Sequence, residues 1–308
     1  MKQKQHSRII DPKKFGVSFS VKQCRSFGIN AHDCLLWLCE TAGFRRFRLM
    51  SYWNEIEKEQ GKYDFSELDR QIKTITTYSG VITLCLGVKQ PRWPEYHWPT
   101  WAKNLPNHEK TTALLQFIET IVKRYKDNPA IISWQLENEA LLKGFGENIH
   151  IDRKRLRTEF ILVKKLDPTR PVIMSTSNGW GIPLRRPIPD LVGFSYYLII
   201  NKNGRYYPTM QKPWLYRLRK TLIHTLLRRT VFIHELQLEP WGPTAIWKKS
   251  AQEQDKSMSP QQIRKNLEAA QKIDAYPIDL WGGEWWYWRS TTDKDTSIFD
   301  TVSSIITQ

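Results

Sequence analysis

The residues best suited to chemistry stand at the ends of apolar runs. Ala130-Ile131-Ile132-Ser133-Trp134-Gln135-Leu136 leads straight into Glu137-Asn138-Glu139. Apolar, β-branched residues bury a strand readily, whereas a carboxylate pair is not buried without partners. A strand that turns acidic at its C-terminal end delivers ionisable groups into a cleft, and Glu139 reads as half of a catalytic pair. Thr230-Val231-Phe232-Ile233-His234-Glu235 repeats the pattern and supplies the other half, Glu235. Two carboxyls on different strands can divide the work: one holds a proton and donates it, the other stays ionised and attacks. An ionised nucleophile needs cationic or hydrogen-bonding neighbours. Arg48 and a tyrosine of Leu191-Val192-Gly193-Phe194-Ser195-Tyr196-Tyr197 are available for that.

Other acids compete. Glu137 shares a face with Glu139 if the strand continues, and its plainer role is hydrogen-bonded support. Glu239, in Glu239-Pro240-Trp241, follows Glu235 closely and is an alternative carboxylate or a substrate contact. Glu284 has the strand parity of Trp286 and Trp288, so all three would face the same way, with a structural ion pair as the competing role for the acid. His234 reads as a packed strand residue.

These groups need a scaffold that gathers strand ends. Short apolar runs recur at Phe15–Ser20, Phe44–Ser51, Val81–Gly87, the Glu139 stretch, Val172–Ser175, Leu191–Tyr197, Thr230–Glu235 and Ile278 to about Trp286. Helical patterns separate them, at Asp33–Ala42, Ser66–Tyr78, from Asn107, at Arg153–Leu166, Lys212–Arg229 and Ser259–Lys272. Strand–helix alternation demands parallel pairing with crossover helices. Eight such units predict an α/β fold, a single (β/α)8 TIM barrel, whose strand C-termini converge on one face. A doubly wound open sheet is disfavoured, because no GxGxxG follows the first strand. One catalytic domain over residues 1–308 is expected, with residues 1–14 as a flexible tail.

The formal charge is +16, which invites an anionic partner. No nucleic-acid motif accompanies it, so nucleic acid is not expected. The densest basic stretch, 212–229, sets Arg217, Arg219, Lys220, Arg228 and Arg229 among Trp214, Leu215, Leu218, Leu222, Leu226 and Leu227. It reads as an amphipathic helix with a solvated basic face, or as a peripheral contact with an anionic membrane surface or polymer. The cysteines, Cys24, Cys34, Cys39 and Cys85, lack metal-ligand spacing and read as reduced thiols. No metal or cofactor is expected. No run is long and apolar enough to span a bilayer, and no apolar segment follows the basic N-terminus, so the expected compartment is the cytoplasm. Tryptophans beside polar residues, such as Trp53, Trp286 and Trp288, suit the apolar faces and hydroxyl edges of sugar rings. The oligomeric state is left open.

At this point the chain resembles the clan A glycoside hydrolases, including families 5 and 42. The resemblance runs over nearly the whole chain. It rests on Trp134…Asn138-Glu139, Glu235, Arg48 and Gly61-Lys62-Tyr63-Asp64-Phe65-Ser66…Leu68-Asp69. It implies a retaining hydrolase of β-linked glycosides acting on a carbohydrate substrate without a cofactor. Glu139 would be the general acid/base and Asn138 would bind the hydroxyl beside the reacting carbon. Glu235 would be the nucleophile, positioned by Arg48 and Tyr197, and an aromatic platform near the last strand would stack the sugar. Two positions depart from the pattern. Ser195 stands where many relatives carry histidine, and Gln90, Arg92 and Trp93 follow the third strand where a histidine is common. The reading from a different class is a non-catalytic barrel that binds a carbohydrate or an anionic polymer.

Overall fold

The computed structural model describes residues 9–140, 142, 151–177, 181–242 and 244–307. Its strands, in chain order, are β1 (Phe15–Phe19), β2 (Arg46–Met50), β3 (Val81–Leu86), β4 (Ile131–Leu136), β5 (Val172–Thr176), β6 (Leu191–Tyr196), β7 (Ile199–Lys202), β8 (Arg205–Pro208), β9 (Thr230–Gln237) and β10 (Ile278–Trp281). Eight of them close into a barrel in the order β1-β10-β9-β6-β5-β4-β3-β2. Each barrel strand therefore lies beside the next barrel strand of the sequence, and β10 pairs in parallel with β1, Phe15 opposite Ile278. This is the expected (β/α)8 barrel. Buried-on-both-sides strands explain the near-continuous apolar runs: all five residues of β1 and of β2 are buried.

The chain packs as two compact units. One comprises Met1–Phe47, Phe194–Leu222 and Phe232–Gln308, the other Arg48–Gly193 and Ile223–Val231. In the first, the Pro260–Ile273 helix shows how sequence sets local structure. Ser259 Oγ accepts the Gln262 N–H, Pro260 occupies the first turn, and Asp274 closes the helix in the left-handed region at φ 56°. Ile263, Leu267, Ala270 and Ile273 recur at helical spacing and are buried, each large one contributing about 1.5–3 kcal/mol. In the second unit, Ala113, Leu114, Phe117, Ile118, Ile121 and Val122 form the same kind of buried stripe on the Asn107–Tyr125 helix.

Three local readings are corrected. The last barrel strand is not Ile278–Trp286. It stops at Trp281, Gly282 turns at φ 141°, and Gly283–Thr291 is a helix. A Cβ at Gly282 would sit 2.5 Å from the Leu238 carbonyl oxygen, so the break requires glycine. Strands β7 and β8 were not anticipated. They form an antiparallel hairpin around Asn203-Gly204, whose φ values of 53° and 77° fit a tight hairpin turn. A short helix, Val21–Phe27, follows β1 directly. Of the tail expected over 1–14, residues 1–8 lie outside the described residues. Ile10 is buried and its N–H donates to the Gly43 carbonyl at 3.0 Å. No helix among the described residues is long and apolar enough to cross a membrane. All four cysteines are buried thiols outside any disulfide, and burial pushes the Cys39 thiol up to about 12.

Candidate active site

The acidic end of β4 is not a continued strand. Pairing ends at Leu136, and Glu137 and Glu139 both adopt left-handed backbone, φ 50° and 43°. Non-glycine residues hold that conformation only when their surroundings enforce it. The shared strand face expected for Glu137 and Glu139 is therefore absent, and the two acids enter different environments. Glu137 turns into the protein. Its carboxylate accepts the backbone N–H groups of Val88 and Lys89 and pairs with Arg155 Nη2 at 2.8 Å. Arg155 Nε also holds Glu159 at 2.7 Å. Burial pushes the Glu137 carboxyl above its ordinary range, against the pull of Arg155 and the two backbone donors. Glu159 is raised well above its ordinary value, by burial first and then by the charge of Glu137. Burial alone would weaken the Arg155 charge, but the two carboxylates outweigh it and hold the guanidinium protonated.

Gly87 is part of this arrangement. Its φ is 98°, and a Cβ there would stand 2.5 Å from Glu137 Cδ. Gly87→Ala combines backbone strain with overpacking and is expected to cost about 2 kcal/mol or more. Urea unfolding measures it, and an unchanged midpoint would show that Glu137 yields freely.

Asn138 is fixed as an amide of one orientation. Its Oδ1 accepts from Arg48 Nη2 at 2.9 Å and from Ser175 Oγ at 3.2 Å. Arg48 Nε donates in turn to Gln135 Oε1 at 2.6 Å. With the carbonyl oxygen saturated, the amide nitrogen is left as donor and reaches Glu95 Oε2 at 3.2 Å. Glu139 is held through its backbone: its N–H donates to Ser175 Oγ at 2.8 Å and its carbonyl accepts Lys89 Nζ at 3.1 Å. Ser175 thus fastens Asn138 and the Glu139 main chain to the end of β5. Glu95 escaped the sequence reading. It lies in the Pro- and Trp-rich loop after β3, buried, at φ 72°. That loop folds back on itself through Gln90 N–H to the Glu95 carbonyl at 2.9 Å and Glu95 N–H to the Arg92 carbonyl at 2.8 Å. The rigidity of the loop was legible, but nothing in it singled out Glu95.

In the other unit, Glu235 lies within β9 and is buried. Tyr197 OH donates to Glu235 Oε2 at 3.1 Å. Two residues on, Gln237 sets the Tyr197 position from behind. Its Oε1 accepts the Leu198 and Ile199 N–H groups at 2.9 and 3.0 Å, and its Nε2 donates to the Ile199 carbonyl at 2.9 Å. Trp241 meets the Tyr197 ring edge-on, with centroids 5.3 Å apart. Glu239 accepts the Trp281 indole N–H at 2.7 Å. His234 is a structural residue as expected: its Nδ1 lies 2.6 Å from Asp279 Oδ2, and Arg46 Nε lies 3.1 Å from the other carboxylate oxygen.

Two of the aromatic residues expected as sugar contacts are fully buried. Trp53 is fully buried, stacked on Phe117 at 5.3 Å, with its indole N–H on Glu57 Oε2. Trp286 is fully buried too, and its indole N–H donates to the Leu238 carbonyl at 2.8 Å. Trp288 has one face against Phe27 at 5.2 Å. Glu284 is buried in the terminal helix and accepts the Ser20 N–H at 2.6 Å. Parity along a strand does not relate these residues, because they occupy a helix. Their packing positions follow from the 3.6-residue period instead.

Residues 80–222 match the protein family described as "Glycosyl hydrolases family 2, TIM barrel domain". The fold is a TIM barrel, and residues 80–222 of it are similar to that glycosyl hydrolase domain. The matched stretch of this barrel includes Glu95, Asn138, Glu139 and Tyr197 and ends before Glu235. The resemblance to glycoside hydrolase TIM barrels agrees with this match, which adds family 2 to the families named. Among curated relatives, the barrel is 24% identical to the β-galactosidase LacZ of Lactobacillus acidophilus over 135 residues, 37% of this chain and 20% of that one. The chain spans a fifth or less of the length of the curated relatives it matches. Among solved structures, it is similar to a family 10 endo-β-1,4-xylanase of Gloeophyllum trabeum, with a TM-score of 0.62 at 15% identity, covering 90% of this chain and 86% of that one. It is also similar to the exo-β-1,4-mannosidase Op5Man5 of Opitutaceae bacterium strain TAV5, with a TM-score of 0.62 at 14% identity, covering 91% and 54%. At these identities the structural likeness establishes the fold.

Proposed function

We propose that this barrel hydrolyses a β-linked O-glycoside with retention of configuration, Glu139 acting as acid/base and Glu235 as nucleophile. The observation that carries the reading is how Glu137 is engaged. Its carboxylate is locked to Arg155 and to backbone donors, which takes it out of competition with Glu139 for the role of proton donor. The Tyr197 hydroxyl on Glu235 supports the nucleophile assignment, since a donor favours the ionised carboxylate. In the first step the Glu235 carboxylate attacks the anomeric carbon as the glycosidic C–O bond breaks. The Glu139 proton passes to the departing oxygen. In the second, Glu139 takes a proton from water, the water oxygen attacks the same carbon, and the ester bond to Glu235 breaks. Asn138, with its amide nitrogen free to donate beyond Glu95, would hold the neighbouring hydroxyl. The β-galactosidase, β-glucuronidase and β-mannosidase names among the relatives support a β-linked substrate.

The test is the configuration of the first product. Proton NMR during hydrolysis of a panel of aryl β-glycosides should show the β-anomer appearing first. Intact-protein mass spectrometry with the matching 2-deoxy-2-fluoro glycoside should show one adduct, absent in Glu235→Gln. First appearance of the α-anomer would replace retention by inversion. No turnover across the panel, with retained binding, would leave a carbohydrate-binding barrel.

A further inference from the structure

From Leu191 to His234 the chain has no aspartate or glutamate, yet it carries Lys202, Arg205, Lys212, Arg217, Arg219, Lys220, Arg228 and Arg229. The Pro213–Leu227 helix lies within this stretch, and its burial departs from an ordinary solvated face. Tyr216, Arg219 and Ile223 face the protein. Arg219 is therefore not part of a basic surface. It lies 4.1 Å from the centroid of the Phe194 ring, and burial lowers it to about 10. Lys220 is occupied by Asp274. The outward side instead presents Trp214, 62% exposed, and Leu218, 45% exposed, one turn apart on a single face. Met210 precedes them at 85% exposed, and Leu226, in the last turn of the helix, is 59% exposed. Thr221 and Thr225 continue the Trp214–Leu218 face, with exposed Arg217 on its flank; Lys212, exposed, precedes the helix, and Arg228, exposed, follows it at φ 54°.

We propose that the outward face of the Pro213–Leu227 helix docks on an anionic phospholipid bilayer. Trp214 and Leu218 enter the headgroup–acyl boundary, and Lys212, Arg217 and Arg228 meet the acidic headgroups. Charge decides the occupant. A second copy of the chain would bring like charges together, because the segment that carries this face has no acid of its own. A polyanion such as nucleic acid would satisfy the cations but leave Trp214, Leu218 and Met210 in water. A bilayer with acidic lipids satisfies both sets at once, and tryptophan with flanking arginine is the composition of helices that lie in the membrane interface. The surface is independent of the glycosidase assignment and stands or falls separately from it.

Co-sedimentation of the full chain with sucrose-loaded vesicles tests it. Vesicles of phosphatidylcholine with a minority of phosphatidylserine should pull the protein down, pure phosphatidylcholine vesicles should not, and added salt should weaken the binding. Arg217→Gln with Arg228→Gln should lose about fivefold in affinity per removed cation. Trp214→Ser with Leu218→Ser should lose at least about tenfold while circular dichroism melting stays near that of the parent. Both substitutions are at exposed positions, so folding is retained. Failure to bind acidic vesicles overturns the proposal. So does binding that Trp214→Ser with Leu218→Ser leaves unchanged, because that would show a purely ionic surface.

Discussion

Glu139→Gln is expected to slow hydrolysis of an aryl β-glycoside by about 10²–10⁴-fold, the range associated with a positioned proton donor. The loss should depend on the leaving group. A dinitrophenolate departs without a proton, so glycosylation of Glu235 by that substrate should be nearly unimpaired, and the defect should move to the water step. Azide, which needs no general base, should then restore turnover and yield a β-glycosyl azide. Glu235→Gln should show neither behaviour, since without a nucleophile no leaving group or added anion rescues the retaining route. Tyr197→Phe removes one hydrogen bond to the Glu235 carboxylate, about 1.5–3 kcal/mol for a charged acceptor, and should cost roughly 10- to 100-fold. Pre-steady-state kinetics of the three variants, with melting curves to confirm folding, separate these cases. If Glu139→Gln and Glu235→Gln both turn over within about tenfold of the parent, neither glutamate does the assigned work.

Those two glutamates stand out in the sequence because each comes at the end of an apolar run, and the barrel that carries them was legible from the same runs. The Ser259-Pro260 cap was equally readable, since its signal is local. What the strand pattern hid was how each strand stops. Gly282-Gly283 was a breaker in plain view, but the tryptophans beyond it look like strand residues, and reading through the break moved Glu284, Trp286 and Trp288 onto an element they do not occupy. Asn203-Gly204 carried the hairpin signal that produces β7 and β8. Glu137 and Glu139 were separated only by their positive φ values, a choice made by Gly87, Arg155 and Ser175 rather than by the neighbouring residues. Glu95 was out of reach because its partner, Asn138, is 43 residues away and the loop between β3 and the following helix has no repeating pattern.

Arg155→Met is the substitution expected to unfold the Glu137 side of the site. One guanidinium serves two carboxyls, and the Glu137 and Glu159 side chains have no exposed surface. Removing the cation from a buried ion pair costs about 3–5 kcal/mol, because the charge left behind has no solvent. The cost should depend on pH, and its sign follows from the direction of the shifts. Both carboxyls are raised in the folded protein, Glu159 the further. Between the ordinary glutamate value and the folded value, the folded state binds more protons than the unfolded one, so this pair's contribution to stability falls as pH rises through that window. Loss of Arg155 raises both carboxyls again and widens the window upward. The variant should therefore lie closest to the parent in acid, where the carboxyls are protonated in both states, and fall furthest behind above neutrality. Glu159→Gln should do the opposite: it removes the acid that ionises with most difficulty, should cost about 1 kcal/mol or less, and should flatten the dependence. Urea midpoints of the three proteins across pH measure this, and an Arg155→Met deficit that stays constant from acid to alkali would show that packing by the arginine stem, rather than its charge, holds Glu137 away from Glu139.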